Sequence, residues 1–440
     1  MHKDIFSPSI IAIGVFIIST TLFLINAEKW NAEISLKTFF VISFGLIVTI
    51  TVDCFMQTIS HKKCYYISEK RMQPTNVRVL RVDTWKVVAL IVFSLVITYF
   101  YYYEVLRIAA VSAKQLGSTG DYNVMHIYRM ATAHSDTLSS QQQMNPIIEQ
   151  SAKIIMVGAY ICLFIWINNV LVWKDGFKRN FKYLIPVIFY LLQSLLSGGR
   201  VQLIYFVAAC LVIEYILWQR KTNWRANLSG RFVKIGACFL ISFLALFYSI
   251  RYVVGRTVED IPFFTYISIY AGAPLQLLNL YLESPPMPST SWGEECFVGL
   301  YQLLYKLGVV TNYHSIQTEF RISNGENLGN VYTFFRRPIQ DFGIGGMFFF
   351  ILFFVGIYTY IYHFKIKYSI NSYRSDRILL LYSMFFYPIV LFSIDNCSYS
   401  LFTIGNLLTI IITLFMFWFF LKVKIVYKKG RYPVCQNGRS

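Results

Sequence analysis

Ser197-Gly198-Gly199-Arg200 combines the features of a phosphate-binding turn. Two glycines let backbone N–H groups approach a ligand closely, and the apolar stretch that follows predicts a helix whose N-terminus favours an anion. The guanidinium of Arg200 adds a fork of donors that matches phosphate oxygens. We therefore predict a phosphate site here. The alternative is a simple turn whose arginine extends to the membrane interface.

Arg251 and Arg256 are candidates for the same anion. They are five residues apart, so both face one ligand only if the helix that carries Arg251 ends near Gly255. The alternative for both is an ion pair with Glu259 or Asp260.

A third group of candidates surrounds a pair of arginines that precedes a proline, Arg336-Arg337-Pro338. A proline disfavours helix at the residue before it, so the sequence predicts an extended Arg337. Contact with lipid headgroups is the alternative role for this pair. Other side chains nearby suit sugar hydroxyls and aromatic stacking: Asn330, Tyr332 and Asp341.

Two side chains of this region are candidates for accepting a proton, Glu326 and His314. Each has a structural alternative. Glu326 lies in Asn-Gly-Glu-Asn and is also interpretable as a solvated turn residue, and His314 as a hydrogen-bonded structural residue. Asp341 is similarly interpretable as the N-cap of the span that follows it. The cysteines form no CxxC pair and have no His-rich partner, so no metal site is predicted.

The elements that must position these residues are membrane helices. Of the 440 residues, 56% are apolar and only 14% charged, which excludes an ordinary soluble protein. A nucleic-acid surface is excluded as well, because the basic residues lie between apolar blocks rather than in one stripe. Ten blocks are long enough to cross about 30 Å of hydrocarbon: 5–25, 34–55, 87–106, 154–173, 183–197, 201–218, 235–252, 344–364, 378–395 and 402–421.

The basic residues predict the orientation of these spans. With ten crossings, the segments on the side of the termini carry 27 Lys and Arg against five acids, whereas the opposite side carries 12 against 15. Positive charge collects in the cytoplasm, so both termini are predicted to be cytoplasmic. The formal net charge of +18 is then mainly an orientation signal.

This pattern divides the chain into four regions. Residues 1–254 form a bundle of seven spans with an external loop at 107–153, residues 255–341 form a large late external region, residues 342–421 return to the membrane, and residues 422–440 are a basic cytoplasmic tail.

The apolar stretch 262–282 lies within the late external region. A single crossing there would break the charge alternation, so we predict a re-entrant or interfacial segment. The alternative is a pair with a second weak crossing near 296–310, which gives twelve spans.

The whole arrangement resembles a known family. The Ser-Gly-Gly-Arg turn between spans, the large late external loop, and the stretch NVYTFFRRPIQDFGIGG leading into a span are similar to those of bacterial oligosaccharide repeat-unit polymerases of the O-antigen polymerase (Wzy) type. The resemblance covers most of the chain, and hydropathy carries much of it.

The resemblance implies an inner-membrane glycosyltransferase that moves a growing glycan en bloc from undecaprenyl diphosphate to a newly flipped repeat unit on the periplasmic side. A chain-length regulator is the implied protein partner. The resemblance assigns diphosphate binding to Gly198, Gly199, Arg200, Arg251 and Arg256, and it places Asn330, Tyr332, Arg336, Arg337 and Asp341 in the motif before the late span.

The chemistry of this reaction fits the same residues. Fixed cations in a water-poor site stabilise the departing diphosphate, and Glu326 or His314 accepts the proton of the acceptor hydroxyl. We therefore expect metal-independent catalysis without a cofactor. Three other functions stay open: an O-antigen ligase, a flippase or exporter of the same lipid-linked sugar, and a non-catalytic membrane scaffold.

Overall fold

The chain is an all-α, multi-pass membrane protein. The computed structural model describes residues 4–68, 77–115, 123–134, 140–222, 224, 248–249, 262–367, 369, 372–421 and 426–428. Seven helices of this described part are long and apolar enough to cross a membrane: Pro8–Asn26, Leu36–Ser60, Thr84–Gln115, Pro146–Val172, Val201–Lys221, Arg336–Ile366 and Ile404–Leu421.

Almost all of the described elements are helices. The helices are α1 Pro8–Asn26, α2 Leu36–Ser68, α3 Thr84–Gln115, α4 Val124–His134, α5 Pro146–Trp166, α6 Phe177–Asn180, α7 Leu184–Leu196, α8 Val201–Lys221, α9 Phe263–Ala271, α10 Ala273–Glu283, α11 Val298–Lys306, α12 Arg336–Tyr360, α13 Tyr373–Met384, α14 Tyr387–Val390, α15 Ser398–Leu401 and α16 Ile404–Leu421. The strands form two antiparallel pairs, β1 Val77–Val79 with β4 Val426–Lys428 and β2 Arg321–Ser323 with β3 Glu326–Gly329. Single π-helical turns, Ile167–Val172 and Ile361–Ile366, extend α5 and α12.

Two predicted spans differ from continuous long helices. The stretch 183–197 contains the 13-residue helix α7, and 378–395 is divided between α13 and α14. The stretch 235–252 lies outside the described residues, apart from positions 248–249. Apolar length alone did not show the break between α13 and α14, because the residues around it are apolar as well.

Helix α5 is the centre of the bundle. In its most apolar window 72% of the residues are buried inside the protein, against 22% for α2. A membrane helix that buries most of its surface against protein has neighbours on several sides, whereas α2 keeps much of its surface toward lipid. The late part of the chain contacts the end of the bundle at residues 27–35, where the N–H of Ser35 donates to the side chain of Asn279 and the hydroxyl of Ser323 donates to the carbonyl of Trp30.

That end of the bundle, where α1 stops and α2 begins, is called here the loop-rich end. Helices α9 and α10 lie against α1 there, and the backbone of Leu22 and Phe23 comes so close that a Cβ on Gly272 would lie 3.0 Å from each. The stretch 262–282 thus forms two short helices joined at Gly272, each shorter than one membrane crossing requires.

Two irregular backbone segments meet deep inside the protein. The carbonyl of Phe392 accepts a hydrogen bond from the N–H of Phe334 at 3.1 Å, and the side chain of Asn396 donates to the carbonyl of Phe334 at 2.9 Å. Phe335 stacks on Phe16, halfway along α1, at 5.4 Å. Irregular backbone is tolerated at this depth because protein surrounds it and fills its hydrogen bonds.

Helix α12 starts directly after this segment, with Phe335 as its N-cap. The prediction that Pro338 holds Arg337 extended is wrong, because Arg337 and Pro338 both lie in the first helical turn, where a missing N–H breaks no intrahelical bond. The helix bends at Gly343, which has a φ of 68°. Its first turn therefore points independently of the longer part that follows.

Candidate functional site

Arg336 is the centre of a polar cluster at the loop-rich end. Its side chain is 2% exposed, and its two terminal nitrogens donate to the carboxylates of Glu295 and Glu319. Its guanidinium carbon lies 5.0 Å from the ring centre of Tyr281 and 5.2 Å from that of Tyr332, which places the cation against both aromatic rings. With one cation and two carboxylates, the trio carries a formal charge of −1.

Asp341 holds the backbone that carries Glu295. Its Oδ1 accepts hydrogen bonds from the N–H of Glu295 at 3.1 Å and from the hydroxyl of Ser289 at 2.8 Å, and its Oδ2 accepts the N–H of Cys296 at 2.8 Å. The interpretation of Asp341 as an N-cap of its own helix is wrong, because it lies five residues inside α12 and binds another segment.

The carboxyl group of Glu295 is only partly neutralised. Its Oε2 accepts from Arg336, and within the described part of the chain its Oε1 accepts no hydrogen bond. The side chain is 22% exposed. Burial raises the pKa of this carboxyl above its usual value, although Arg336 and Arg337 act in the opposite direction.

Glu319 is more fully occupied. One of its oxygens accepts from Arg336 and the other from Arg321 at 3.3 Å. Arg321 also donates to the carbonyl of Leu280 at 2.7 Å, which ties strand β2 to the end of α10. The hydroxyl of Tyr332 donates to the carbonyl of Glu319 at 3.0 Å, so the backbone of this residue is fixed too.

Arg337 joins the cluster from the other side of the first helical turn. It donates to the carbonyls of Glu295, at 3.2 Å, and Ile316, at 2.7 Å. Its guanidinium carbon lies 4.4 Å from the ring centre of Tyr399, whose hydroxyl donates to Asp395 at 3.2 Å. Arg337 thus connects the late loop with the segment that follows α14.

Arg200 lies at the start of α8 against the late helix α9. It is 5% exposed, donates to the hydroxyl of Tyr270 at 2.9 Å, and stands 5.3 Å and 5.4 Å from the ring centres of Tyr266 and Tyr270. The turn residue Gly198 has a φ of 64°, and its N–H bonds the carbonyl of Leu195 at 2.9 Å, so it ends α7 in the left-handed conformation that glycine tolerates. The N–H of Gly199 bonds the Ser197 hydroxyl at 3.3 Å.

The two predicted proton acceptors lie apart from Arg336. Glu326 pairs with Lys29 at 3.2 Å, and both side chains are more than 40% exposed. His314 lies 3.7 Å from Glu294, and its ring faces Tyr301 at 4.9 Å. In the described part of the chain, no hydrogen bond or ion pair joins either residue to Glu295 or Glu319.

The remaining predicted ligands divide between structure and the undescribed part of the chain. Asn330 exchanges two hydrogen bonds with Thr318: its side chain donates to the Thr318 carbonyl at 3.3 Å and its carbonyl accepts from the Thr318 hydroxyl. It therefore closes the loop that carries Glu319. Arg251 and Arg256 lie outside the described residues.

The structure thus brings Tyr332, Arg336, Arg337 and Asp341 into one cluster, while Arg200 contacts the neighbouring helix α9. A chain of contacts runs from α8, which begins after Arg200, to Tyr399, which contacts Arg337. Tyr205 of α8 stacks on Tyr387 at 3.8 Å, and the Tyr387 hydroxyl bonds the hydroxyl of Ser400, next to Tyr399. The sequence pattern did not single out Tyr281 or Glu295, and it gave Glu319, one of the acids near the arginine pair, no specific role. The available signal was the predicted arginine pair itself, since a deep cation requires carboxylates from somewhere nearby.

Comparisons of the chain with protein-family models, with curated proteins and with solved structures give no match. Among the described residues, no group of three or more His, Cys, Asp or Glu side chains is arranged to hold a metal ion. The partly exposed carboxylates of Glu295 and Glu319 suit hydroxyl-rich ligands, and Arg200 lies at the start of α8 against two tyrosines of α9.

Proposed function

We propose that this chain polymerises lipid-diphosphate-linked oligosaccharide repeat units at the periplasmic side of the bacterial inner membrane. One observation carries the proposal. The stretch NVYTFFRRPIQDFGIGG, on which the family resemblance rests, supplies four members of the Arg336 cluster and joins the late loop to the membrane helices. A polar site at the end of a membrane bundle suits a lipid-linked oligosaccharide, because the lipid can stay in the membrane while the sugars reach the polar site.

The division of charge supports a division of roles. The partly exposed carboxylates around Arg336 face the sugars, since carboxylates accept hydrogen bonds from hydroxyls, whereas the buried rings of Tyr281 and Tyr332 pack against the guanidinium. Arg200, with Arg251 and Arg256, binds diphosphate. Arg336 itself is neutralised by two carboxylates, so its role is to hold the sugar-binding groups rather than to bind phosphate directly.

The reaction is proposed to need neither metal nor cofactor. Breaking the bond between the anomeric carbon and the diphosphate places negative charge on the leaving group, and fixed cations stabilise it. The acceptor hydroxyl loses its proton as the oxocarbenium-like centre forms, so one carboxylate nearby is sufficient as the base.

The proposed topology has ten crossings with cytoplasmic termini. The basic asymmetry of 27 against 12 Lys and Arg supports it, together with the long apolar helices. In this arrangement the loop-rich end faces the periplasm, where newly flipped lipid-linked units arrive. A chain-length regulator is the proposed protein partner.

The test is turnover by the purified full chain in liposomes. The substrate is the lipid-linked single repeat unit isolated from a strain that lacks this gene, and the products are separated on a gel. A ladder of products differing by one repeat supports the proposal. Transfer only when a lipid-core acceptor is added indicates a ligase, movement of the substrate across the bilayer without new bonds indicates a flippase, and either result would refute polymerase activity.

A further inference from the structure

We propose that Glu295 accepts the proton of the acceptor sugar hydroxyl, with Arg336 and Asp341 as the residues that position it. The inference rests on the proposed glycosyl transfer and assigns its base. It concerns a residue that the sequence did not single out, 41 positions before Arg336.

The three carboxylates of the cluster differ in how many of their acceptor positions protein groups already occupy. Asp341 uses both oxygens on the N–H groups of Glu295 and Cys296 and on the hydroxyl of Ser289, so it has no strong acceptor position left for a substrate. Glu319 gives one oxygen to each of two guanidinium groups, so a substrate hydroxyl would have to compete with an arginine for either oxygen.

Glu295 differs from both because it gives only one oxygen to Arg336. Its other oxygen carries no hydrogen bond in the described part of the chain, and the side chain is 22% exposed. A hydroxyl can therefore reach this oxygen without displacing a protein group.

The position of Glu295 is fixed by its neighbours. The N–H of Glu295 is held by Asp341 at 3.1 Å, its carbonyl accepts from Arg337 at 3.2 Å, and its carboxylate is fixed by Arg336. Three attachments on one residue leave its side chain little freedom. A base that is fixed in this way has lost its conformational entropy before the substrate binds, which favours the transfer step.

The carboxylate of Glu295 must also be basic enough to take a proton. Burial raises the pKa of Glu295, which brings it closer to the working pH of a general base than an exposed glutamate would be. Glu326, the acceptor predicted from sequence, is 41% exposed and forms its ion pair with Lys29 instead.

The proposed step conserves atoms and charge. The acceptor oxygen forms a bond to the anomeric carbon of the donor, and the bond from that carbon to the diphosphate oxygen breaks, with the electron pair leaving on the diphosphate. The hydroxyl proton moves to the free oxygen of Glu295 and is later released to water. The products are the extended glycan on the acceptor lipid and free lipid diphosphate.

The test is the pH profile of turnover by the full chain in liposomes with the lipid-linked repeat unit. Glu295→Gln keeps the side-chain shape and an acceptor for Arg336 but cannot take a proton. We expect kcat to fall about 100-fold or more with little change in KM. In the wild type, kcat should decrease as the pH falls through the raised pKa of Glu295, and this acidic limb should be absent in the variant.

Two variants separate catalysis from structure. Glu319→Gln removes the other carboxylate of Arg336 and should retain the acidic limb, whatever its effect on rate. Glu28→Gln, on the exposed turn after α1, should behave as the wild type. Full activity of a folded Glu295→Gln variant, or loss of the acidic limb in Glu319→Gln alone, would overturn the assignment. If the wild type makes no polymer, the proposed function itself fails.

Discussion

At the scale of single residues, Arg336 shows how a cation is kept below the surface of a membrane protein. Its partners come from four separate parts of the chain: α10, the turn before α11, the loop before β2 and the stretch between β3 and α12. Removing one member of a buried charge group costs far more than a surface ion pair contributes, because the remaining charges stay buried without a partner.

We therefore predict that Arg336→Met lowers the free energy of unfolding by about 3–5 kcal/mol. Arg336→Lys should recover only part of this loss, since an ammonium group cannot donate to two carboxylates in a fixed fork and has no planar group to lay against the rings of Tyr281 and Tyr332. Thermal unfolding in detergent measures both. Glu319→Gln combined with each substitution provides the double-mutant cycle, and a coupling near zero would contradict a stabilising role.

Arg200 makes a different kind of contact, to two tyrosines rather than to carboxylates. If it binds diphosphate through its fork, lysine is a poor replacement. We predict that Arg200→Lys eliminates most long-chain product at normal protein levels, read from the glycan ladder of complemented cells. Arg107→Lys, a change at an exposed arginine paired with Glu104, is the matched control and should give a full ladder. A full ladder from Arg200→Lys would reduce this residue to a packing role.

At the scale of elements, several helices are interrupted or bent. Helix α9 gives way to α10 at Gly272, α13 to α14 near Phe385, and α12 bends at Gly343. The helix after Gly272 carries Tyr281, and Gly343 follows the segment that carries Arg336 and Asp341. Short helices can aim several side chains at one point, which one straight membrane helix cannot do.

The contact between α9–α10 and α1 allows a direct test. A Cβ on Gly272 would lie 3.0 Å from backbone atoms of Leu22 and Phe23, so Gly272→Ala should force the late helices away from α1 at a cost of about 1–3 kcal/mol. Gly14→Ala, in α1 itself, meets nothing within 4 Å and should be neutral or slightly stabilising. The midpoint temperature of thermal unfolding and the turnover rate should both be lower in Gly272→Ala. Equal behaviour of the two variants would show that the close approach is unimportant.

At the scale of the whole molecule, the distribution of charge and the position of the loop-rich end must agree. We predict that reporter fusions after residues 70, 225 and 370 indicate the cytoplasm, and that fusions after 130 and 320 indicate the periplasm, because positive segments stay inside. Alkaline phosphatase and green fluorescent protein fusions make the measurement. A cytoplasmic signal after 320 would place the Arg336 cluster on the wrong side for newly flipped substrates.

The sequence by itself determined that the chain is a helical membrane protein and located most of its long helices. Hydropathy is a local property, since twenty apolar residues need a bilayer whatever the rest of the chain does. The same reasoning failed at 378–395, where the apolar stretch is interrupted between α13 and α14. Apolarity fixes burial but not continuity of the backbone.

Only the tertiary structure decided how the predicted residues are used. The sequence singled out Arg336, Arg337 and Asp341, but their partners Glu295 and Glu319 lie 41 and 17 residues before Arg336 in a long polar loop. Residues so far apart are brought together by the folding of the loop onto the bundle, and no local pattern encodes that pairing. For the same reason Asp341, a plausible helix cap by position, holds the backbone of Glu295 instead.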